Sequence, residues 1–465
     1  MMMREEGRGR REAGGTAAAD SRVMSREQAQ TLIERIVKMS KADSIQVNVG
    51  GGYNANIRFA DNRISTAGGV STATVNVQSS FGPKHAVVST NDFSDAGLEQ
   101  AVRQSESLAK LAPDDPEAMP ELGPQKYEEV KTYFDSTANL APGGRAEAAR
   151  AAIDPCKAAG DLKAAGFLLT GIGAGAVGNS KGLFAYQSGT SSNYTLTVRT
   201  TDGTGSAWVG ADHPDWSQID VKALAQRAIE RARMSRNPVA IEPGRYTVIL
   251  EPQAVADLVQ LLAFALDARS ADEGRSTFSK QGGGTKVGEK IVDERVTLFS
   301  DPSDPQLLSN VFDGQGLPAH RVAWIENGIL KRLTYSRFWA QKKNQQPDAG
   351  TNAVKLAGGT QSVDDLIKST PRGILVTRLW YLRPVDPRTV LYTGLTRDGT
   401  FLIENGKISK SVKNMRFNES PLFMLNNLEG LGRAVRVAGT EAGGDVVMPS
   451  LKVRDFNFTS LSDAV

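Results

Sequence analysis

The chain has 465 residues, which is too long for one ordinary hydrophobic core, so two or three domains are expected. With 40% hydrophobic and 23% charged residues it is typical of a soluble globular protein, and 55 basic against 52 acidic residues give no reason to propose nucleic acid as a partner. The single Cys156 excludes an internal disulfide and a cysteine-rich metal site, which fits a reducing compartment. No apolar run reaches the roughly 20 residues of a membrane-spanning helix, so no membrane partner is expected.

Residues 1–23 are rich in Arg, Gly and Ala. A secretion signal needs an apolar segment after its basic residues, and the stretch from Glu12 to Asp20 is too weakly apolar to serve as one. The same lack argues against twin-arginine export from Arg10-Arg11. This segment is therefore predicted to be a disordered tail.

Residues 24–112 are predicted to form a first α/β domain. Ser25 and Gln28 have the spacing of a capping box, and the apolar residues that follow predict a helix. The β-like runs are Ile45–Val49, Asn54–Phe59, Val70–Val77 and His85–Ser89, with turn signals at Gly50-Gly51-Gly52 and Asp61-Asn62. A second helix is predicted over Asp95–Leu111 with an inward face formed by Leu98, Val102, Ser105 and Leu108.

A proline-rich linker at residues 113–142 separates this domain from a second α/β domain at residues 143–237. The second domain repeats the helix–strands–helix plan. Its predicted elements are a helix over Gly144–Ala159, strands near Ala165–Ile172, Leu183–Tyr186, Thr195–Thr200 and Ser206–Trp208, and a helix over Val221–Met234.

Residues 238–465 are predicted to form a larger, mostly-β third domain, which gives an α+β fold overall. It opens with a strand at Tyr246–Leu250, and Pro252 then stands where a proline favours the first turn of a helix over Gln253–Asp267. Two hairpins share the core Ile-Glu-Asn-Gly, with turns at Asn327-Gly328 and Asn405-Gly406. A short helix is predicted over Ser362–Ser369.

The opening strand and helix, with the loop Arg269–Phe278, resemble the third domain of the TldD/PmbA family of metallopeptidase-related proteins. Further marks of that resemblance occur in the same order as in the family. They are Asp313-Gly-Gln-Gly-Leu-Pro318, the two Ile-Glu-Asn-Gly hairpins, Gly350-Thr-Asn352 and Pro449-Ser-Leu-Lys-Val453.

Catalytic members of this family carry His-Glu-x-x-x-His on the opening helix. Counted without gaps from Leu250 and Pro252, those positions fall on Gln260, Leu261 and Ala265, none of which is a metal ligand of that motif. The cysteine that completes the family's metal site near the end of the last domain is also missing. The resemblance is therefore to PmbA/TldE-like members, and no catalytic residue, metal or cofactor is expected.

The resemblance implies a cytoplasmic, non-catalytic subunit of a TldD–TldE-like peptidase complex that cleaves small or unfolded peptides. It implies a TldD-type partner or a dimer with itself, a peptide substrate, and Asn352 as a candidate peptide contact. Two alternatives remain open. One is a homodimeric peptide-binding or scaffold protein without a peptidase partner, and the other is a metallopeptidase with an unconventional site.

Other motifs are weaker. Gly173-Ala-Gly-Ala-Val-Gly178 fits G-x-G-x-x-G, but β character resumes where a dinucleotide site needs a helix, so we interpret it as a closely packed strand or bulge. The three histidines, His85, His213 and His320, lie too far apart in the sequence to show ligand spacing. Two groups of charged residues could be taken for an active site, but we interpret both as ordinary solvated residues. They are the acids Asp267, Asp272 and Glu273 and the arginines Arg378, Arg383 and Arg388.

Overall fold

The computed structural model describes residues 22–350, 353–440 and 444–462. Apart from Arg22 and Val23, the predicted tail lies outside these residues. In the first half of the chain the helices are α1 (Arg26–Met39), α2 (Asp95–Leu111), α3 (Asp135–Ala138), α4 (Pro142–Ala159) and α5 (Val221–Met234). The strands of this half are β1 (Ser44–Ala60), β2 (Arg63–Phe81), β3 (Lys84–Thr90), β4 (Leu162–Asn179), β5 (Phe184–Thr200) and β6 (Ser206–His213).

These six strands form one antiparallel sheet in the order β3-β2-β1-β4-β5-β6. Strands of the two predicted α/β units therefore share a sheet, joined where β1 pairs with β4 from Gln46↔Asn179 to Phe59↔Gly166. Helices α1 and α2 cover one end of a sheet face over Val47 and Val49. Helices α4 and α5 cover the other end of the same face over Ile57 and Phe59.

The prediction of a turn at Gly50-Gly51-Gly52 is wrong, because these glycines lie in the middle of the 17-residue strand β1. They face similar glycines on β4, since Gly50 pairs with Gly175 and Gly52 with Gly173. A β-carbon on Gly52 would overlap the carbonyl oxygen of Ile172 on β4. Gly52 is thus required by the close approach of β1 and β4, and the glycines together leave a part of the sheet without side chains.

Two of the predicted helices, α2 and α5, have the predicted bounds. Ser25 and Gln28 form the predicted capping box of α1. The inward face of α2 differs at one position, because Leu108 is 44% exposed while Ala109 beside it is buried. None of the helices among the described residues is both long and apolar enough to cross a membrane.

The second half of the chain begins with β7 (Gly244–Leu250) and α6 (Pro252–Phe264). It continues with α7 (Ala268–Asp272), β8 (Leu298–Ser300), β9 (Val322–Glu326), β10 (Ile329–Leu330), α8 (Arg337–Lys343), β11 (Val354–Leu356), α9 (Val363–Lys368), β12 (Arg372–Val376) and β13 (Leu379–Asp386). It ends with β14 (Leu391–Thr396), β15 (Thr400–Glu404), β16 (Lys407–Ser411), β17 (Met415–Glu419), α10 (Pro421–Asn426), β18 (Leu428–Arg436) and β19 (Val446–Leu461).

These strands form a second sheet with the main order β10-β9-β8-β11-β19-β7-β12-β15-β16. Four strands lie off this path: β18 pairs with β19, and β17 joins β19 to the pair formed by β14 and β13. Both predicted hairpins are present, and Asn327, Gly328, Asn405 and Gly406 all have the positive φ angles that their turns require. The α+β class predicted from the sequence is confirmed.

Helix α6 packs in the centre of the second core, against β19 and α10. It ends at Phe264, before the predicted end at Asp267, because Asp267 instead caps α7 by accepting a hydrogen bond from the Ser270 amide at 2.7 Å. The segment predicted as the loop Arg269–Phe278 therefore begins inside a short helix.

The two halves are held together by buried charges. Arg231 of α5 donates to both carboxylate oxygens of Glu251, the residue that precedes α6. Arg378 stacks on Trp208 of β6 and on Trp380 of β13, with its guanidinium 4.5 and 5.0 Å from the two ring centroids. These contacts fix α6 relative to the first sheet.

Candidate functional site

Helix α6 carries the three positions where catalytic relatives are expected to place metal ligands. Gln260 is completely buried, and its carboxamide oxygen accepts a hydrogen bond from the Thr440 hydroxyl. Leu261 and Ala265 pack at the edge of the hydrophobic core. Two turns before the start of this set, Gln253 donates to the Gly439 carbonyl at 2.7 Å. The helix face is thus occupied by the loop that follows β18.

These side chains do not fit a zinc ion, because a neutral amide, an isobutyl group and a methyl group offer neither an imidazole nor a thiolate. Within residues 22–350, 353–440 and 444–462, no three His, Cys, Asp or Glu side chains are grouped so that they could hold a metal. Cys156 is buried in the core under α4 and α5, and that burial raises its pKa to about 11. A protonated, buried thiol is a poor nucleophile and a poor ligand.

The histidines lie on separate elements. The ring of His213 accepts a hydrogen bond from the Asp215 amide at 2.9 Å, and burial lowers its pKa. His85 lies on β3, 3.9 Å from a carboxylate oxygen of Asp115. His320 is exposed on the loop before β9. His213 therefore has a structural role in the turn that follows β6.

A cleft of about 710 Å³ lies between the first sheet and the second half of the chain. Its floor is the glycine-rich part of β1 and β4 together with Gln187–Ser191 of β5. Its opposite wall is the segment Leu308–Gly314, and Arg436 and Asp445 line one end. Because the floor is backbone with few side chains, the cleft presents mainly neutral polar groups and peptide planes.

A second recess of about 430 Å³ adjoins the cleft, since both are lined by Ser309, Asn310 and Asp445. His320, Asp348 and Gly350 also line this recess. The Asp348 carboxylate is held in place, because it accepts from Arg332 Nε at 2.7 Å and from the Tyr335 amide at 3.0 Å. Asn352, the predicted peptide contact, lies outside the described residues, two positions beyond Gly350.

Arg436, at the end of β18, connects three parts of the chain at one end of the cleft. Its Nε donates to Asp212 of β6 at 2.9 Å, and its terminal nitrogens donate to Asp445 and to the Leu307 carbonyl. The Arg436 side chain is only 10% exposed. Sequence reasoning missed this residue, because its three partners are up to 224 positions away in the chain.

The wall segment after Leu307 is pinned to the first sheet by amide side chains. Gln187 of β5 accepts from the Val311 amide at 3.0 Å, and Asn48 of β1 donates to the Gly314 carbonyl at 2.7 Å. Leu308 has a φ of 41°, an uncommon value for a residue with a β-carbon. These hydrogen bonds hold the wall segment against β1 and β5, which form part of the cleft floor.

The remaining sequence candidates have structural roles. The six glycine-motif residues Gly173–Gly178 lie within β4, which confirms the interpretation as a closely packed strand. The Asp272 carboxylate accepts a hydrogen bond from the Trp339 indole, and the Glu273 carboxylate accepts hydrogen bonds from Arg269 and Arg275. The arginines do not converge, since Arg378 is in the tryptophan stack and Arg383 lies 4.0 Å from the Tyr381 ring centroid.

Two sequence profiles match the chain: the PmbA/TldA metallopeptidase central domain at residues 141–236 and the PmbA/TldA metallopeptidase C-terminal domain at residues 243–460. The matched regions contain β4 and β5, which form part of the cleft floor, and the helix α6, whereas β1 lies outside them.

A protein of Methanothermobacter thermautotrophicus named metalloprotease is 26% identical over 236 residues, or 47% of this chain and 49% of that protein. A protein of Buchnera aphidicola named metalloprotease TldD homolog is 25% identical over 237 residues, or 48% of this chain and 45% of that protein. The chain thus spans about half the length of these curated relatives.

Among solved structures, the fold is similar to that of TldE from Thermococcus kodakarensis. The TM-score is 0.81 at 21% identity, covering 93% of this chain and 99% of that chain. At such low identity this likeness establishes the shared fold alone. Together with the two profile matches it confirms the predicted family: the protein belongs to the PmbA/TldD family of metallopeptidase-related proteins.

Proposed function

We propose that the protein is a non-catalytic PmbA/TldE-type subunit that pairs with a TldD-type metallopeptidase and helps to enclose its peptide substrates. One observation carries the proposal. On α6, the residue at the first motif position is a fully buried Gln260 bonded to Thr440, so the helix face is closed by protein. A metal-activated water needs both ligands and an open coordination position there, and this helix provides neither.

The cleft supports a role in holding peptides. The backbone groups of β1 and β4 are already paired within the sheet, so the glycine floor offers an extended peptide a flat surface to lie on and not main-chain partners. Hydrogen bonds to such a peptide would come from the polar side chains of the cleft and from the wall Leu308–Gly314, which lies opposite the floor. Asn352 stays our candidate peptide contact, because Gly350 just before it lines the adjoining recess.

In this proposal the whole chain works as one cytoplasmic subunit. It consists of the tail at 1–23, a first domain at 24–112, a linker at 113–142, a second domain at 143–237 and a third at 238–465. No metal, cofactor or nucleic acid takes part through this chain.

The test is metal analysis and casein cleavage on three samples: the purified chain, a TldD-type subunit, and the two co-expressed and isolated together. We expect no stoichiometric zinc and no chelator-sensitive cleavage in the chain alone, and co-purification with cleavage that depends on the partner's metal. Stoichiometric zinc with chelator-sensitive activity in the chain alone would instead support the unconventional metallopeptidase. Peptide binding by a self-associated chain that recovers no TldD-type subunit would support the homodimeric binding protein.

A further inference from the structure

The cleft and the recess that adjoins it carry more negative than positive charge. Among the described residues that line the two cavities, the charged groups are four carboxylates and one guanidinium, those of Asp212, Asp313, Asp348, Asp445 and Arg436. His320 is the one further basic side chain among these lining residues, and no lysine is found there.

Arginine pairing offsets only part of this negative charge. Arg436 is shared by two of the acids, since its nitrogens bond both Asp212 and Asp445. Asp348 is paired with Arg332, whose Nε lies 2.7 Å from the carboxylate and which lines neither cavity. Two guanidinium groups thus face four carboxylates, so the two cavities together keep a surplus of negative charge.

Asp313 is the acid that these arginines leave unpaired. It lies in the wall segment where the cleft meets the recess, because it lines both cavities. Its Oδ1 accepts from the amides of Gln315 and Leu317 at 2.8 and 2.9 Å, which leaves Oδ2 for a further donor. Arg337 acts on Asp313 through its charge, but its hydrogen bonds go to the Gln315 side chain and the Pro120 carbonyl.

Burial raises the pKa of Asp313, and burial also raises the pKa of Asp445 although Arg436 opposes it. The charged forms of these carboxyls are therefore short of compensating partners. A ligand with a positive charge would supply that compensation, whereas an anionic ligand would add like-charge repulsion. The exposed carboxamides of Asn54 and Asn310, which also line the cleft, carry no charge and do not discriminate between the two kinds of ligand.

We propose that the cleft selects peptides that carry a positive charge, and that Asp313 binds the charged group. That group is an ammonium or a guanidinium, supplied by a peptide amino terminus or by a lysine or arginine side chain. The uncharged glycine floor beside Asp313 carries the rest of the peptide without a competing charge. This inference rests on the proposed function, because it takes the cleft to be the place where a peptide is held.

The test is fluorescence anisotropy with short labelled peptides of Gly, Ala and Ser that have a central lysine, glutamine or glutamate, each with a free or an acetylated amino terminus. It uses the full chain, alone and together with a TldD-type subunit that co-purifies. The lysine peptide with a free terminus should bind about tenfold more tightly than the acetylated glutamine peptide, and the acetylated glutamate peptide should bind most weakly. Raising the salt from about 0.1 to 1 M should reduce this preference.

The same peptides identify the source of the charge. A loss of affinity on acetylation assigns the site to an amino terminus, and a loss on replacing lysine by glutamine assigns it to a side chain. Both results support the inference. Equal affinity for all the peptides would overturn it and leave the peptide-holding role of the cleft intact. Binding of none of them, to the chain or to the complex, would overturn that role and the inference with it.

Asp313→Asn removes the charge and keeps an oxygen for the two amides, so it should abolish the preference and change the affinity for the acetylated glutamine peptide less than about twofold. Asp386→Asn is the matched control, because Asp386 is also a half-buried carboxylate that accepts from a backbone amide in a turn, and it lines neither cavity. It should retain the preference.

Asn310→Lys repeats the test if Asp313→Asn lowers the melting temperature. Asn310 is exposed and lines both cavities, so a lysine there places a positive charge in the cleft without replacing a buried group. It should weaken binding of the lysine peptide most. A preference that both Asp313→Asn and Asn310→Lys leave unchanged would overturn the inference.

Discussion

The side-chain oxygen of Gln260 accepts a hydrogen bond from the hydroxyl of Thr440, and this contact joins α6 to the loop after β18. Gln253, two turns earlier on the same helix, holds the neighbouring Gly439 carbonyl. On this helix catalytic family members are expected to bind a metal. Here two of its side chains, two turns apart, instead form hydrogen bonds with the loop after β18.

Replacing Gln260 by Ala should destabilise the protein by about 1–3 kcal/mol, because it removes a buried amide and leaves the Thr440 hydroxyl without this partner. Urea denaturation measures the change. A double-mutant cycle with Thr440→Val should give a coupling of about 0.5–1.5 kcal/mol. Strict additivity of the two changes would show that the contact does not hold the loop.

Two glycines on β1 provide a matched pair for the cleft floor. Gly52→Ala should cost about 2–4 kcal/mol, because the new methyl group would overlap the backbone of β4. Gly50→Ala should be nearly neutral, since no heavy atom lies within 4 Å of a β-carbon at that position. Thermal and urea unfolding of both variants check the difference. Equal effects would contradict the close packing of β1 against β4.

Arg436→Met should destabilise the protein by about 2–3 kcal/mol. It leaves the Asp212 and Asp445 carboxylates without their guanidinium, and the loss is moderated because the Asp445 side chain is 44% exposed. Hydrogen exchange should accelerate in the wall segment after Leu307, whose carbonyl Arg436 holds. The control is Arg433→Met on the same strand, at an exposed arginine, with an expected change within about 0.5 kcal/mol.

Glu419 should make the stability depend on pH. Burial raises its pKa to about 7 from an ordinary value of 4.5, so the folded protein binds this proton more tightly than the unfolded chain. The contribution is fully present below pH 4.5 and is lost as the pH rises through about 7, a change of up to about 3 kcal/mol. Urea unfolding between pH 4.5 and 8 measures it against Glu419→Gln.

In Glu419→Gln this part of the pH dependence should vanish, although the variant also weakens one of the hydrogen bonds that the carboxylate accepts from the amides of Ser420 and Asn457. The comparison therefore concerns the slope of stability with pH and not its absolute value. An identical slope in the two proteins would show that Glu419 is not the group that titrates.

Elements with strong local signals were predictable. The bounds of α2 and α5 follow from apolar periodicity and from caps at Ser94 and Asp220. The two Asn-Gly hairpins follow from the positive φ that their turns need. In each case the forces that decide the structure act between residues close in the sequence.

The cleft was not predictable in the same way, because its floor depends on the pairing of β1 with β4. Glycines usually indicate turns, and only the neighbouring strand shows why Gly50–Gly52 remain extended. One signal was available: the apolar positions Val47, Val49, Ala55 and Ile57 stay in phase at a period of two across the glycines. The contacts of Arg436 left no comparable signal.

The pairing of β1 with β4 also bears on synthesis. Residue 46 has to meet residue 179, so the central ladder of the sheet closes only after more than a hundred further residues have left the ribosome. Until then we expect Ile64–Phe81 of β2, which contains no charged residue and no proline, to be accessible to neighbouring nascent chains and to favour aggregation of early intermediates. Because β1 pairs with β4 only late in synthesis, we expect the chain to need chaperones during translation.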